Sequence, residues 1–383
     1  MSEIFTEEQA LIRDVARSFS QDCLAPGAAD REKAGEIELE VIAKMAELGF
    51  LGMTVPAEFG GAGTDYVSYA LAIMEVAAGD GAVSTMMSVH NAPFCAILQR
   101  FGSLEQKERW LRPAAQGKFI GCFALTEAGA GSDASAIKTI AKKSGEGFLI
   151  RGSKQFITSA SIGEAAIVFA VTDPLAGKKG ISAFYVPLDS AGLRIGPPEH
   201  KLGQKASDTC ALWFDDVLAP FDSMLGAEGQ GLSIALSSLE AGRIGIAAQS
   251  VGMARAAFEC AARYAMERKT FGKPIIEHQA VAFRLADMDT RIEAGTQVVL
   301  NAARLKDNNM PCLREASIAK LFASQMAEAV VSDAIQTLGG YGYLADYPLE
   351  RIYRDVRISQ IYEGTSDVQK INISREIIKR IQS

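Results

Sequence analysis

Gly147-Phe148-Leu149-Ile150-Arg151-Gly152 is a short aromatic and β-branched run closed by glycine at both ends. The same grammar recurs in Ala165 to Val171, Ile181 to Val186 and Cys210 to Phe214, with Gly, Lys-Gly and Pro-Pro breaks between them. Brief runs bounded by turn residues fit antiparallel strands better than alternating strand–helix units. From about Gly121 to Asp216 the chain therefore reads as a compact β domain.

On both sides of this stretch the period changes to that of a helix. Thr6-Glu7-Glu8-Gln9 is a capping-box pattern, followed by Leu11, Ile12, Val15, Ala16 and Phe19 at helical spacing. A second periodic stretch runs from about Ile37 to Leu48 and stops at Gly49. After Gly226-Ala227-Glu228-Gly229-Gln230-Gly231, Ala-, Leu- and Ile-rich segments cover roughly 232–265, 278–305, 313–339 and 366–381. Four long helices with short connections predict a bundle, and their alanine content predicts close helix–helix contact. The expected order is an N-terminal helical domain (1–120), a middle β domain (121–225) and a C-terminal helical bundle (226–383).

Composition limits what such a chain does. With 383 residues and 48% hydrophobic content it can bury a large core without disulfide or metal staples. Thirty-nine Lys plus Arg against 46 Asp plus Glu leave a net charge of -7, which disfavours a nucleic-acid partner. The acidic N-terminus predicts no signal peptide. The longest apolar runs fall short of the about 20 residues that span a bilayer, so a cytoplasmic location without membrane insertion is expected. Six scattered cysteines without C-x-x-C, and three histidines without H-E-x-x-H, predict no metal site. No G-x-S-x-G elbow is present. An enzyme with this inventory must borrow its reactive group or use carboxylates.

Four strings could carry chemistry. Phe123-Ala124-Leu125-Thr126-Glu127-Ala128-Gly129-Ala130-Gly131-Ser132-Asp133 brings bare N–H groups and hydroxyls near a flat or phosphorylated ligand, and reads equally as a structural turn. Gly152-Ser153-Lys154-Gln155-Phe156-Ile157-Thr158-Ser159-Ala160 could back a planar ring; on spacing alone it is an ordinary strand. Glu267-Arg268-Lys269-Thr270-Phe271-Gly272-Lys273-Pro274 could hold a pyrophosphate, although cations also simply suit a helix C-terminus. In Ile361-Tyr362-Glu363-Gly364-Thr365, Glu363 is either a surface residue at a helix start or a desolvated base.

Taken together, the ordered strings T-E-A-G-A-G-S-D, R-K-T-F-G-K-P-I, Q-T-L-G-G-Y-G-Y and I-Y-E-G-T-S resemble the acyl-CoA dehydrogenase family of flavoenzymes, over essentially the whole chain. The resemblance implies a helical domain, a β-barrel-like middle domain and a four-helix bundle, non-covalent FAD, and a homotetramer. It places Phe123, Leu125, Thr126, Gly131 and Ser132 along the flavin, with Phe156, Ile157 and Thr158 against it. Many relatives carry Trp at the position of Phe156. It assigns Arg268, Phe271, His278, Gln279, Gln336, Gly339 and Gly340 to the FAD diphosphate and adenosine, some of them reaching a neighbouring subunit's flavin. Thr365 and Asp367 close the flavin site.

Glu363 matches the family's catalytic base. Its carboxylate is expected to remove the α-proton of an acyl-CoA thioester while a hydride leaves the β-carbon for flavin N5. The backbone N–H of Glu363 and a flavin hydroxyl would polarise the thioester oxygen. One subgroup places its base immediately before the Arg of Leu239-Glu240-Ala241-Gly242-Arg243; Gly242 stands there in this chain, which favours Glu363. Ser132, Glu240, Arg243 and Gly364 match positions that contact the CoA substrate. The overall pattern is most similar to short-chain and short branched-chain members, with electron-transfer flavoprotein as acceptor. The alternatives are a relative acting on a non-CoA substrate and a catalytically silent flavoprotein scaffold.

Overall fold

The computed structural model describes residues 5–382. The helices before the sheet are α1 (Glu7–Phe19), α2 (Ala28–Ala34), α3 (Leu39–Glu47), α4 (Tyr66–Gly79), α5 (Gly81–Val89), α6 (Ala96–Phe101), α7 (Leu104–Gln106) and α8 (Arg112–Ala115). The expected capping box starts α1: the Gln9 N–H donates to Thr6 Oγ1 and the Thr6 N–H to Gln9 Oε1, both at 3.1 Å.

The sheet comprises β1 (Gly121–Ala124), β2 (Ile140–Lys143), β3 (Gly147–Thr158), β4 (Ala165–Val171), β5 (Ile181–Pro187), β6 (Leu193–Ile195), β7 (Thr209–Pro220) and β8 (Met224–Leu225). Its order is β6-β7-β3-β2-β4-β5-β8, with β1 added on β4. The predicted runs all lie within strands. The expectation of antiparallel pairing needs correction, because β1 pairs with β4 in parallel, Gly121 opposite Ala165. The β2–β3 hairpin intervenes in sequence between them, and the chain comes back in the same direction.

Alternation on β4 explains why this strand is apolar throughout. Ala165, Ile167 and Phe169 face a core shared with Trp110, Leu111 and Ile234 of the flanking helices. Ala166, Val168 and Ala170 face a second core with Ile150, Phe184 and Leu212 of the sheet itself. Both faces are buried, so the usual polar alternation is missing.

A small hairpin, β9 (Lys269–Thr270) and β10 (Lys273–Pro274), separates α9 (Gly231–Glu267) from α10 (Gln279–Asp307); α11 (Leu313–Leu338), α12 (Leu349–Val356) and α13 (Ser366–Gln382) follow. The bundle and the N-terminal helices share one core. Helix α9 is its axis. Ala247, Ala248, Ala254, Ala257, Ala261 and Ala265 are all buried, and small side chains let neighbouring backbones approach. At Gly252 an added Cβ would lie 2.1 Å from the Met74 carbonyl oxygen of α4. Glu75 of α4 is buried and accepts from Arg17 of α1 at 3.0 Å and from Arg255 of α9 at 2.5 and 2.8 Å, tying three helices together.

Gly252→Ala therefore forces α4 and α9 apart. Overpacking of this kind costs about 1–3 kcal/mol. Urea unfolding monitored by circular dichroism should show that loss, and an unchanged midpoint would contradict the close approach.

Candidate active site

Glu363 sits between two helical segments on a backbone of the left-handed kind, with φ 54° at Glu363 and 88° at Gly364. A non-glycine residue there is strained and persists only where the surroundings hold it. Three contacts do so. Lys320 Nζ of α11 donates to the Gly364 carbonyl at 2.7 Å. Gln369 Nε2 of α13 donates to the same oxygen at 2.8 Å and to the Glu363 carbonyl at 3.3 Å. The Thr365 hydroxyl accepts from the Val368 N–H at 3.3 Å and starts α13.

This backbone turns the Glu363 carboxylate onto α9 at Gly242, where an added Cβ would stand 2.5 Å from Oε2 and 3.0 Å from the carboxyl carbon. Oε2 is buried and has no hydrogen-bond partner in the protein. Loss of water raises the carboxyl to about 7, although the Arg243 guanidinium and Lys320 ammonium both pull it down. Burial likewise lowers the Lys320 ammonium to about 7, against the opposing pull of Glu363.

In front of Glu363 opens a cleft of about 670 Å³. Thr126, Gly131, Ser132, Phe156 and Thr158 line its sheet side, and Glu363, Gly364 and Thr365 line the other. A register shift between Lys154 and Ile157 breaks the β3–β7 ladder, and Phe156 takes φ 60°. The bulge swings the Phe156 ring outward, 62% exposed, while Ile157 enters the sheet core at 1%. Ser207 Oγ and Arg357 Nη1 belong to cleft-lining residues and are buried without a partner in the protein. Around Gly131 there is open space. An outward aromatic face, free hydroxyls and orphaned polar atoms fit a planar, oxygen- and nitrogen-edged cofactor.

Other expected residues gather elsewhere. Arg268, Gln336, Gly339 and Gly340 line a separate hollow of about 660 Å³ together with Tyr264 and Tyr341. Phe271 and Gln279 are exposed beside it, and His278 shares a hydrogen bond with the Thr270 hydroxyl at 3.1 Å. This hollow fits the phosphate and adenosine end of a dinucleotide, with Arg268 lying over the Tyr341 ring at 5.9 Å.

Several expected contacts are not made by side chains. Phe123 packs its ring on Phe169 at 5.1 Å, and Leu125 is buried beneath the sheet, because strand alternation carries both inward. Phe123 and Ile157 are paired within the sheet, opposite Ile167 and Cys210, and the Leu125 carbonyl accepts from Lys154 at 3.0 Å. The Asp367 side chain is exposed and pairs with Lys370 at 3.5 Å. Glu240 does not line the cleft: its carboxylate accepts from Lys306 at 2.9 Å and from the Cys312 thiol at 3.1 Å. Arg243 lies behind Glu363, 4% exposed, with Nε and Nη1 unpartnered.

Two buried lysines are given no role by the motifs. Lys320 falls on the face of α11 shared by Ala316, Ala323 and Ala327, and a cation on that apolar stripe was the available signal. Lys154, also fully buried, donates to the Leu125 carbonyl at 3.0 Å and to Glu127 at 2.8 Å. Glu127 in turn accepts from the Lys138 and Thr139 N–H groups at 2.6 and 3.0 Å, so this pair fixes the loop bearing Thr126 and Gly131. Glu127→Ala leaves the Lys154 ammonium buried and unpaired. It should cost about 3–5 kcal/mol in urea unfolding; a loss under about 1 kcal/mol would show that the loop is held by other contacts.

Comparison with known proteins agrees with this architecture. The models of the acyl-CoA dehydrogenase N-terminal, middle and C-terminal domains match residues 6–118, 122–217 and 229–378. The chain is 44% identical to the mitochondrial short-chain specific acyl-CoA dehydrogenase of Bos taurus, over 98% of its own length and 92% of the relative. It is 42% identical to the caffeyl-CoA reductase-Etf complex subunit CarC of Acetobacterium woodii, over 98% and 100%. The butyryl-CoA dehydrogenase structure from Megasphaera elsdenii superposes with a TM-score of 0.96 at 39% identity, covering 98% of this chain and 99% of that one. The conjunction of three matched domains, a dry carboxylate and a planar-ligand cleft has one source: the chain belongs to the acyl-CoA dehydrogenase family.

Proposed function

We propose that this chain is an FAD-dependent dehydrogenase of short-chain or short branched-chain acyl-CoA thioesters, yielding the 2-enoyl-CoA, with Glu363 as the base that takes the α-proton. The carrying observation is the Glu363 carboxylate, buried, unbonded at Oε2 and open to the cleft. The α-proton of a thioester is weakly acidic, and a carboxylate stripped of water and held near neutrality is suited to remove it. The cleft from Thr126 to Thr158 would hold the isoalloxazine, with Thr365 and Gly364 closing it. When bound, FAD supplies the acceptor for the β-hydrogen. The Glu363 N–H would donate to the thioester oxygen, and Arg243 would steady the developing negative charge from behind.

A buried polar plug supports a short acyl chain. Past Glu363 the cleft ends on Thr85, Gln204 and Tyr362. Tyr362 donates to Gln249 Oε1 at 2.5 Å, and Gln249 donates to Thr85 at 2.6 Å and to the Gly81 carbonyl at 2.8 Å. A longer hydrocarbon tail would have to break bonded, buried polar groups and would gain no apolar wall.

The second hollow supports a homotetramer in which Arg268, Phe271, Gln279 and Gln336 to Gly340 hold part of a neighbouring subunit's FAD. Phe271 is 97% exposed and Tyr343 is 84% exposed, which is unusual for aromatic groups without a covering partner. We read electron-transfer flavoprotein as the acceptor, supported by the Etf-complex membership of the Acetobacterium relative. A cytoplasmic setting is supported by six free thiols. No helix among the described residues is long and apolar enough to cross a membrane. We keep the division at 1–120, 121–225 and 226–383, supported by sheet strands that begin at Gly121 and end at Leu225.

Glu363→Gln should retain FAD and slow anaerobic bleaching of the flavin by butyryl-CoA by about 10²–10⁴-fold, the usual worth of a general base. In the parent enzyme the bleaching rate should rise with pH through about 7, because only the ionised Glu363 accepts a proton. A variant still reduced rapidly sinks the assignment. Gln249→Ala removes the plug's central amide. The ratio of kcat/KM for octanoyl-CoA over butyryl-CoA should then rise about tenfold, the worth of about two newly buried methylenes at about 0.8 kcal/mol each; an unchanged ratio would place the chain-length limit elsewhere.

A further inference from the structure

Lys320 combines three features that its setting in a helical core does not require. It is fully buried on α11, among Ala316, Ala319 and Ala323. An ordinary lysine there would be a cost without a return, since burying an ammonium is expensive unless it is paired and hydrogen-bonded. Its ammonium donates to a carbonyl, that of Gly364, at 2.7 Å. The anion that acts on it is Glu363.

We propose that Lys320 is the positioning residue of the catalytic base: its ammonium holds the left-handed Glu363-Gly364 turn through the Gly364 carbonyl and supplies, with Arg243, the positive field in which the Glu363 carboxylate ionises. This inference rests on Glu363 being the base. Geometry carries it. Glu363 and Gly364 both occupy positive φ, so the turn tends to relax unless its carbonyls are fixed. Lys320 from α11 and Gln369 from α13 both hold the Gly364 carbonyl, and Gln369 also reaches that of Glu363. Gly242 of α9 forms the wall against which the carboxylate rests. Three helices thus meet at one carboxylate, and Lys320 is the member of that set carrying charge from α11.

The charged and titratable groups around the base divide by element. Helix α9 contributes Arg243, and also Glu240, which is neutralised by Lys306 of α10 and touches Cys312. Helix α11 contributes Lys320. Tyr69 of α4 and Tyr362 of the base loop lie in the field of Glu363; burial pushes Tyr69 well above the ordinary phenol and Tyr362 up to about 12, so both stay neutral. Arg243 and Lys320 are therefore the two cations facing the carboxylate. Each favours its ionised form, and burial opposes both. Removing Lys320 raises the carboxyl further, and the pH limb of proton abstraction moves up with it.

The test compares Lys320→Met, Lys320→Gln and Lys320→Arg holoenzymes with the parent and with Glu363→Gln. The readouts are FAD content, butyryl-CoA affinity and the pH profile of anaerobic flavin bleaching. The Met variant should keep FAD and bind butyryl-CoA within about twofold, while its limb moves up by one or more pH units, of the order that one opposite charge commands. At pH 7 the bleaching rate then falls at least about fivefold, following the lost ionised fraction. Should the Met variant fail to fold, the Gln variant, which keeps a donor but no charge, reads the same limb shift. The Arg variant keeps the charge and should return the limb toward about 7. A purely structural lysine would lower the melting temperature and leave the limb where it was; unmoved limbs in the Met and Gln variants overturn the proposal while Glu363→Gln stays inactive. Rapid bleaching of Glu363→Gln would instead overturn the base assignment itself.

Discussion

One carboxylate is kept out of water and the rest of the molecule is arranged around that constraint. Two cations face Glu363, and each acts to lower its affinity for a proton, yet burial outweighs both and leaves it near 7. That balance is useful chemically. A fully solvated carboxylate would be too weak a base, and one buried without cations would stay protonated at neutral pH. Small residues on α9 create the dry wall. Any side chain at Gly242 would occupy the space that the carboxylate fills, so this chain cannot carry its base on both elements at once.

The fold's long-range contacts serve the same end. The turn bearing Glu363 is strained, and its two carbonyls are held from α11 and α13, which belong to a bundle packed around α9. Helix α9 is in turn fixed to the N-terminal helices through the Gly252 approach and the Glu75 ion pairs. On the opposite side of the cleft, Lys154 and Glu127 hold the loop that presents Thr126 and Gly131. The two halves of the site are thus set by two buried lysines. One is paired directly with a carboxylate, and the other is bonded to a carbonyl beside one.

How far the sequence reveals this depends on whether a residue's role is local. Strand runs between glycines, the capping box at Thr6 and the Tyr362-Glu363-Gly364 string are local patterns, and each stands in the structure where the pattern places it. The parallel addition of β1 to β4 is a long-range pairing with no local mark. Ile157 and Phe156 differ in fate because of a bulge, and a one-residue slip in a ladder reverses which side chain faces the ligand. Glu240 sits in the expected string but is claimed by Lys306, 66 positions away. Lys320 was legible only as an anomaly, a cation on an alanine stripe, whose meaning requires knowing what the stripe faces.

Charge distribution follows the same logic. A net charge of -7 says nothing about where cations are placed, and here the ones that matter are interior. Arg354 at the cleft is tied to Glu32 and Glu350 and is neutralised as a recognition group. Arg243 instead keeps Nε and Nη1 free while almost fully buried. An unpartnered buried guanidinium costs free energy unless negative charge arrives at some stage of turnover. In the proposed mechanism Glu363 provides part of that charge while ionised and gives it up on taking a proton, as the thioester oxygen of the substrate becomes the anion. The negative charge thus moves without growing: the two cations favour the ionised base before transfer, and the Glu363 N–H is the donor left to meet the charge that develops on the thioester oxygen.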